Sequence, residues 1–249
     1  MSHERTELEW KYEPSDFFEA PYQCASADFS LVMSEGRALV TLSVPVDPVP
    51  EELEKRVKLA VDGVLLVRQV QVHRRYTLVG PNTYQYSAAG KSIAVRPDTA
   101  HLLITAGHVD FVMTDPSGKI VRDTRAERIA EHTAFIDSLA PKVPKSFLLR
   151  SLLEMYSRAV SDPKKELVHL YDVRDALSKY YGKKELAIKA LHIIEGEWNR
   201  FGKLANDEPI RQGRHAGKHH QNLRNATEVE LADARNLVKK WITSFAETV

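Results

Sequence analysis

Along this chain the spacing of apolar residues changes near residue 123. Before that point they alternate or run in short β-branched stretches. After it they recur every three or four residues. In "DFSLVMSEGRALVTLSVPV", Asp28–Val46, two β-branched runs flank Ser34-Glu35-Gly36-Arg37. Gly36 takes positive φ without steric cost, so the pattern predicts a β-hairpin. "VLLVRQVQVHRRYTLV", Val64–Val79, is rich in valine with partial alternation and predicts a long strand. "TYQYSA", "KSIAVRP" and "HLLITAG" follow as short strands. "HVDFVMTDPSGKIVRDT" predicts a further hairpin turning at Asp115-Pro116-Ser117-Gly118. Pro50–Gly63 departs from this pattern. Leu53, Val57 and Leu59-Ala60 stand at helical spacing behind a proline. A helix is expected there, with strand from about Arg56 onward as the alternative.

The second half reads as helices. Ile129, Phe135-Ile136 and Leu139 share one face of "TRAERIAEHTAFIDSLA", which Pro141 ends. "KSFLLRSLLEMYSRAV" starts the next helix. Asp162-Pro163 opens another, with Asp162 as cap and Pro163 at the first helical position. It carries Leu167, Leu170, Tyr171, Leu177 and Tyr181 on one stripe and stops at Gly182. "KKELAIKALH" and "GEWNRFGKLAN" are shorter helical pieces. Thr227 and Glu230 form a capping box before Leu231, Ala234, Leu237-Val238, Trp241-Ile242 and Phe245, the expected buried face of the last helix. The fold class is therefore α+β. A β-rich sandwich or barrel-like domain over residues 1–140 precedes an all-α helical bundle over 141–249, with the boundary between Arg122 and Pro144.

Charge and composition remove some functions and localise others. Thirty-five Lys and Arg against 34 Asp and Glu leave a net charge of +1, so attraction to nucleic acid or anionic lipid must be local. One cysteine, Cys24, excludes an internal disulfide and a thiolate zinc site. The charged N-terminus has no apolar signal core, and the longest apolar run, Val64–Val67, is far too short for a bilayer. A cytoplasmic protein with no membrane partner is expected.

The local charge is in "RQGRHAGKHH", Arg211–His220: three cations, three imidazoles and two glycines. The wider segment Pro209–Asn225 carries Arg211, Arg214, Lys218 and Arg224 with no acid, a formal +4. Acids flank it at Asp207, Glu208, Glu228 and Glu230, and Asp207 or Glu208 is placed to pair with Arg211 or Arg214 or to cap the next turn. A solvated loop is the plain reading. Metal binding needs His215 and His219 on one helical face, but Gly217 between them weakens a helix by roughly 1 kcal/mol and no further ligand is near. Anion binding suits arginine forks, with Gly213 and Gly217 letting backbone N–H groups approach. Acid–base chemistry at a phosphodiester suits an arginine beside an imidazole, since the 2′-hydroxyl of RNA supplies its own nucleophile. Elsewhere, Arg174 falls on or beside an apolar helix stripe. It is either an edge arginine reaching water or a second phosphate contact inside the bundle. His73-Arg74-Arg75-Tyr76 is a basic stretch with an aromatic, read as a solvent-facing strand end or a single-strand nucleic-acid contact. Trp198 and Trp241 are expected in the core, and Trp10 and Phe17-Phe18 as anchors for the N-terminal segment or a partner.

Arg214-His215-x-x-x-His219 resembles the signature of the HEPN superfamily (higher eukaryotes and prokaryotes nucleotide-binding domains): an arginine, a polar Asn, Asp or His, three residues, then a histidine. The motif follows several amphipathic helices and precedes a last long one, and the β-rich first half looks like the ApeA-like prokaryotic proteins. The resemblance covers Pro144–Val249. It implies a bundle of four to five helices and a homodimer through the C-terminal helices, with one composite site between subunits. In active members it implies a metal-independent endoribonuclease, in toxin–antitoxin or phage-defence settings. By position, Arg214 would stabilise the scissile phosphate, His219 would act as acid or base, and His215 would be the intervening polar residue. Arg211, Lys218, His220 and Arg174 are the further candidate substrate contacts. His220 adjoins His219, which leaves open which imidazole acts. RNA or a nucleotide is the expected partner, with no metal and no cofactor. The alternatives are a non-catalytic dimerising interaction protein and a nucleotide-binding sensor.

Overall fold

The computed structural model describes residues 4–87, 90–94, 110–115, 117–214 and 223–249. The chain is α+β and divides into two compact units. One comprises residues 1–65 and 76–138, the other residues 66–75 and 139–249.

The first unit is built on an antiparallel sheet. Its strands are β1 (Arg5–Glu13), β2 (Tyr22–Ala25), β3 (Phe29–Ser34), β4 (Arg37–Leu42), β5 (Thr77–Ser87) and β6 (Gly90–Ala94), in the order β2-β3-β4-β1-β5-β6. Within the sheet β1 lies between β4 and β5, with Leu8 opposite Val40 and Trp10 opposite Ala38. As befits a central strand, Leu8, Trp10 and Tyr12 are buried, and Thr6, Glu7 and Glu9 between them are buried too. Trp10 is thus a core residue of a central strand rather than an anchor at the edge. The expected hairpin joins β3 to β4 through Glu35 and Gly36, both at positive φ. The second hairpin is β7 (Val112–Thr114) with β8 (Ile120–Asp123). Its turn is held by Asp115 Oδ1, which accepts from the Ser117 N–H at 2.8 Å. The expected strand "HLLITAG" lies outside the described residues.

Two elements differ from expectation. Helix α1 runs from Glu51 to Val72, so the long strand expected from Val64 does not form before Thr77. Val64 to Val70 are all buried, Arg68 and Gln69 among them. A helix buried all round has no polar face, and its sequence loses the 3.6 period that marks an amphipathic helix. Its last turns, from Leu66, belong with the second unit. Asp162 is the other difference. Its side chain makes no cap hydrogen bond, and Pro163–Lys165 form a 3₁₀ turn before the helix proper.

Helix α2 (Thr124–Leu139) closes the first unit. The second contains α3 (Phe147–Ser161), α4 (Glu166–Tyr180), α5 (Lys184–Ala190), α6 (Glu195–Gly202) and α7 (Glu228–Glu247). Ser146 caps α3 by accepting from the Leu149 N–H. The Thr227–Glu230 capping box opens α7 as expected. Leu231, Ala234, Leu237, Val238, Trp241, Ile242 and Phe245 are all buried, and the Trp241 ring centroid lies 4.9 Å from that of Trp198. Among the described residues no helix is long and apolar enough to cross a membrane.

Candidate phosphate-binding site

Tyr171, Arg174 and Asp175 stand three and four residues apart on α4 and therefore share a face. Arg174 Nη1 donates to the Tyr171 hydroxyl at 2.7 Å. Its guanidinium carbon lies 4.9 Å from the Tyr171 ring centroid and 4.8 Å from that of Trp198, within cation–π range of both. Gly202, the last residue of α6, allows this approach: a Cβ there would meet Arg174 Nη2 at 3.1 Å. Arg174 Nε is buried without a hydrogen-bond partner, and no carboxylate pairs with this arginine among the described residues. Three arginines of the unit are paired with acids. Arg200 pairs with Asp233, Arg224 with Glu208 and Glu230, and Arg235 with Glu166.

Arg214 reaches the same ring from a different part of the chain. After α6 the backbone widens into a π-helical turn, Lys203–Asp207, and the Ala205 carbonyl accepts the Arg214 N–H at 2.8 Å. A Cβ on Gly213 would stand 3.0 Å from that same oxygen, so a side chain here would press on the turn. A parallel bridge joins Ile210 to Arg224. Held in this way, Arg214 lies 4.5 Å over the Tyr171 ring, and its Nη1 donates to Asp175 Oδ2 at 2.9 Å.

The cluster carries two guanidiniums and one carboxylate. Two like charges beside one ring repel, and Asp175 offsets part of that. One positive charge is left over, which matches the single negative charge of a phosphodiester. Arginine forks of this kind bind phosphate oxygens through paired N–H groups.

Arg174 and Arg214, far apart in the sequence, are thus brought together. Arg211 is exposed, and its backbone N–H donates to the Arg224 carbonyl. His215, Lys218, His219 and His220 lie outside the described residues. The formal +4 of Pro209–Asn225 is smaller in space than in sequence. Glu230 and Glu208 each approach Arg224 to 2.7 Å, and Asp175 takes Arg214. Glu208 therefore pairs with Arg224 and not with Arg211 or Arg214. Sequence reasoning missed Asp175, Tyr171, Trp198 and Gly202 as site residues. The i, i+3 and i, i+4 spacing of Tyr171, Arg174 and Asp175 was the available signal. Tyr171 also fits the apolar stripe, and nothing near Asp175 in sequence announces its role because its partner is Arg214.

A second polar cluster in the same unit is centred on a buried carboxylate. Glu166 is 2% exposed and accepts from Arg235 Nε at 2.6 Å and Nη2 at 2.9 Å. His73 Nε2 lies 3.4 Å from Glu166 Oε1, and its Nδ1 lies 3.0 Å from the Tyr156 hydroxyl. Nε2 faces the carboxylate, so it carries the proton and Nδ1 accepts from Tyr156. His73 is therefore not on a strand. It follows α1 in left-handed conformation, φ 47°, with its N–H bonded to the Gln69 carbonyl. Burial first, then the Arg235 charge, pushes its pKa down to about 4 against the pull of Glu166. Tyr156 is 1% exposed, while the side chains of His73 and Arg235 are 22% and 23% exposed, and the cluster ties the end of α1 to α3, α4 and α7. Among the described residues no group of three His, Cys, Asp or Glu side chains gathers as metal ligands do.

Comparison with protein-family models, with curated proteins and with solved structures finds no match to this chain. The HEPN resemblance accordingly stands on the motif residues themselves.

Proposed function

We propose that the helical unit is an RNA-directed effector module that grips the phosphodiester backbone between Arg174 and Arg214. In its catalytic form the module is a metal-independent endoribonuclease of HEPN type, working as a homodimer in a defence or toxin–antitoxin setting. The observation that carries this reading is Arg174. Its guanidinium is fixed by Tyr171 and Trp198, yet it has no carboxylate partner among the described residues. Leaving a half-buried cation uncompensated costs free energy, and an incoming phosphate supplies the missing charge. In the cleavage step the ribose 2′-oxygen attacks phosphorus and its proton goes to a base. The bond to the 5′-oxygen breaks as an acid protonates that oxygen. The products are a 2′,3′-cyclic phosphate and a 5′-hydroxyl. His219 is the motif's candidate for one of these proton transfers, and Arg214 for holding charge on the phosphate.

Incubating the purified chain with RNA in EDTA tests this. Cyclic-phosphate ends that disappear in Arg214→Ala and His219→Ala are expected. Unchanged cleavage in both variants removes the motif from the chemistry.

One observation favours the non-catalytic alternative. The Arg214–Asp175 pair also fastens the 211–214 turn to α4. A purely structural role predicts that Arg214→Ala lowers stability and that no RNA is cleaved under any condition.

A further inference from the structure

A phosphate inside a strand and a phosphate at its end differ in charge. A diester link carries one negative charge, while a monoester carries close to two above about pH 7. Coulomb repulsion scales with the ligand's charge, so a carboxylate beside the site repels an end about twice as strongly as a link. The Tyr171 cluster holds such a carboxylate. Asp175 stands four residues on from Tyr171 along α4, and its Oδ2 accepts from Arg214 Nη1 at 2.9 Å. Both side chains of that pair are 33% exposed, so a ligand that reaches Arg214 from solvent also meets Asp175. The guanidinium has further N–H groups beside the one Asp175 takes. A phosphate on those sets its phosphorus roughly 6 Å from the carboxylate, inside the Debye length of about 10 Å at 0.1 M salt. At that separation each unit of ligand charge costs about three- to tenfold in affinity. The cations of the site attract a monoester more than a diester, and Asp175 opposes that bias.

We infer that Asp175 is a specificity-determining residue, which turns the Tyr171 cluster away from terminal phosphates and toward the diester links inside a strand. This rests on the phosphodiester reading above and adds a ligand class that the site disfavours. Asp175 then does more than hold Arg214 over the Tyr171 ring: its charge sets which kind of phosphate the two arginines accept.

The test is calorimetric titration of the full chain and its Asp175→Asn variant at low salt, above the second ionisation of a phosphomonoester. The ligands are adenosine 5′-monophosphate, its methyl ester, and a short 2′-O-methyl RNA. Asparagine keeps an oxygen to accept from Arg214 and removes the charge. Asp175→Asn is expected to tighten the methyl ester and the RNA by about threefold or more, and the monophosphate by about the square of that factor. Asp175→Glu keeps the charge and should leave the ratio between the two nucleotides within about twofold of the wild type. An equal change for both nucleotides overturns the inference, and so does a loss for both, which would make Asp175 a positioning residue for Arg214 alone. RNA binding with no binding of either nucleotide also overturns it, while RNA recognition stands. The expected shift between the nucleotides without RNA binding keeps the role of Asp175 and ends the RNA reading. Binding of no ligand ends both.

Discussion

Arg174 and Lys at that position would carry the same charge but not the same chemistry. Guanidinium is planar, stacks on rings and presents donors in a fork, while ammonium is a compact, strongly hydrated point charge. Arg174 uses all of this: a hydrogen bond to Tyr171 and two ring faces. Arg174→Lys is therefore expected to lose most of the RNA affinity that Arg174→Ala loses. A lysine variant that binds like the wild type would reduce the site to simple charge. Gly202→Ala probes the same residue from the other side. The added Cβ meets only the flexible end of Arg174, and alanine suits a helix better than glycine by up to about 1 kcal/mol. Stability by urea titration should hold or rise while RNA affinity falls, by about threefold. A parallel fall in both would mean that Gly202 serves packing alone. At this scale the sequence was partly legible. Arg174 and Arg214 both stood out as charges without an obvious local reason. Their meeting was not legible, because it depends on the π-helical turn and on Ala205 accepting from Arg214.

Helices marked by caps and stripes were readable, and helices without a polar face were not. The α7 capping box and its seven apolar positions appear as the spacing predicted. The end of α1 was misread as strand because burial on every side erased its period. That end carries His73 into the Glu166–Arg235–Tyr156 cluster, and two predictions follow from the cluster. Glu166→Gln leaves Arg235 without its buried counter-charge and is expected to cost about 3 kcal/mol in urea unfolding, with the fold retained. A loss below about 0.5 kcal/mol would show that the pair contributes nothing net. The second concerns pH. His73 has a pKa near 6.5 when unfolded and about 4 when folded, so the unfolded state binds more protons between those values. Its contribution is complete above about pH 6.5 and is lost as pH falls toward 4, amounting to roughly 2–3 kcal/mol. Comparing wild type with His73→Gln from pH 7 to 4.5 isolates it. The wild type should lose stability more steeply, and parallel curves would contradict the assignment.

For the whole molecule, a net charge of +1 provides no long-range field, so the proposed RNA contacts would be few and local. Two arginines meeting phosphates on a single strand predict that log K falls with log salt at a slope of about −1.4. Participation of Arg211 and Lys218 raises its size to about −2.8. A slope several times larger would place RNA on some broader basic surface. The two-part α+β plan was legible from the change of period near residue 123. Its detail was not, because the helix that begins in the first unit ends in the second. The direct measurement is a crystal structure of the chain with a short RNA blocked against cleavage by 2′-O-methylation. The account predicts a phosphate with oxygens about 3 Å from the guanidinium nitrogens of Arg174 and Arg214, beside the Tyr171 ring. RNA bound elsewhere, with Arg174 still lacking an anion, would contradict it.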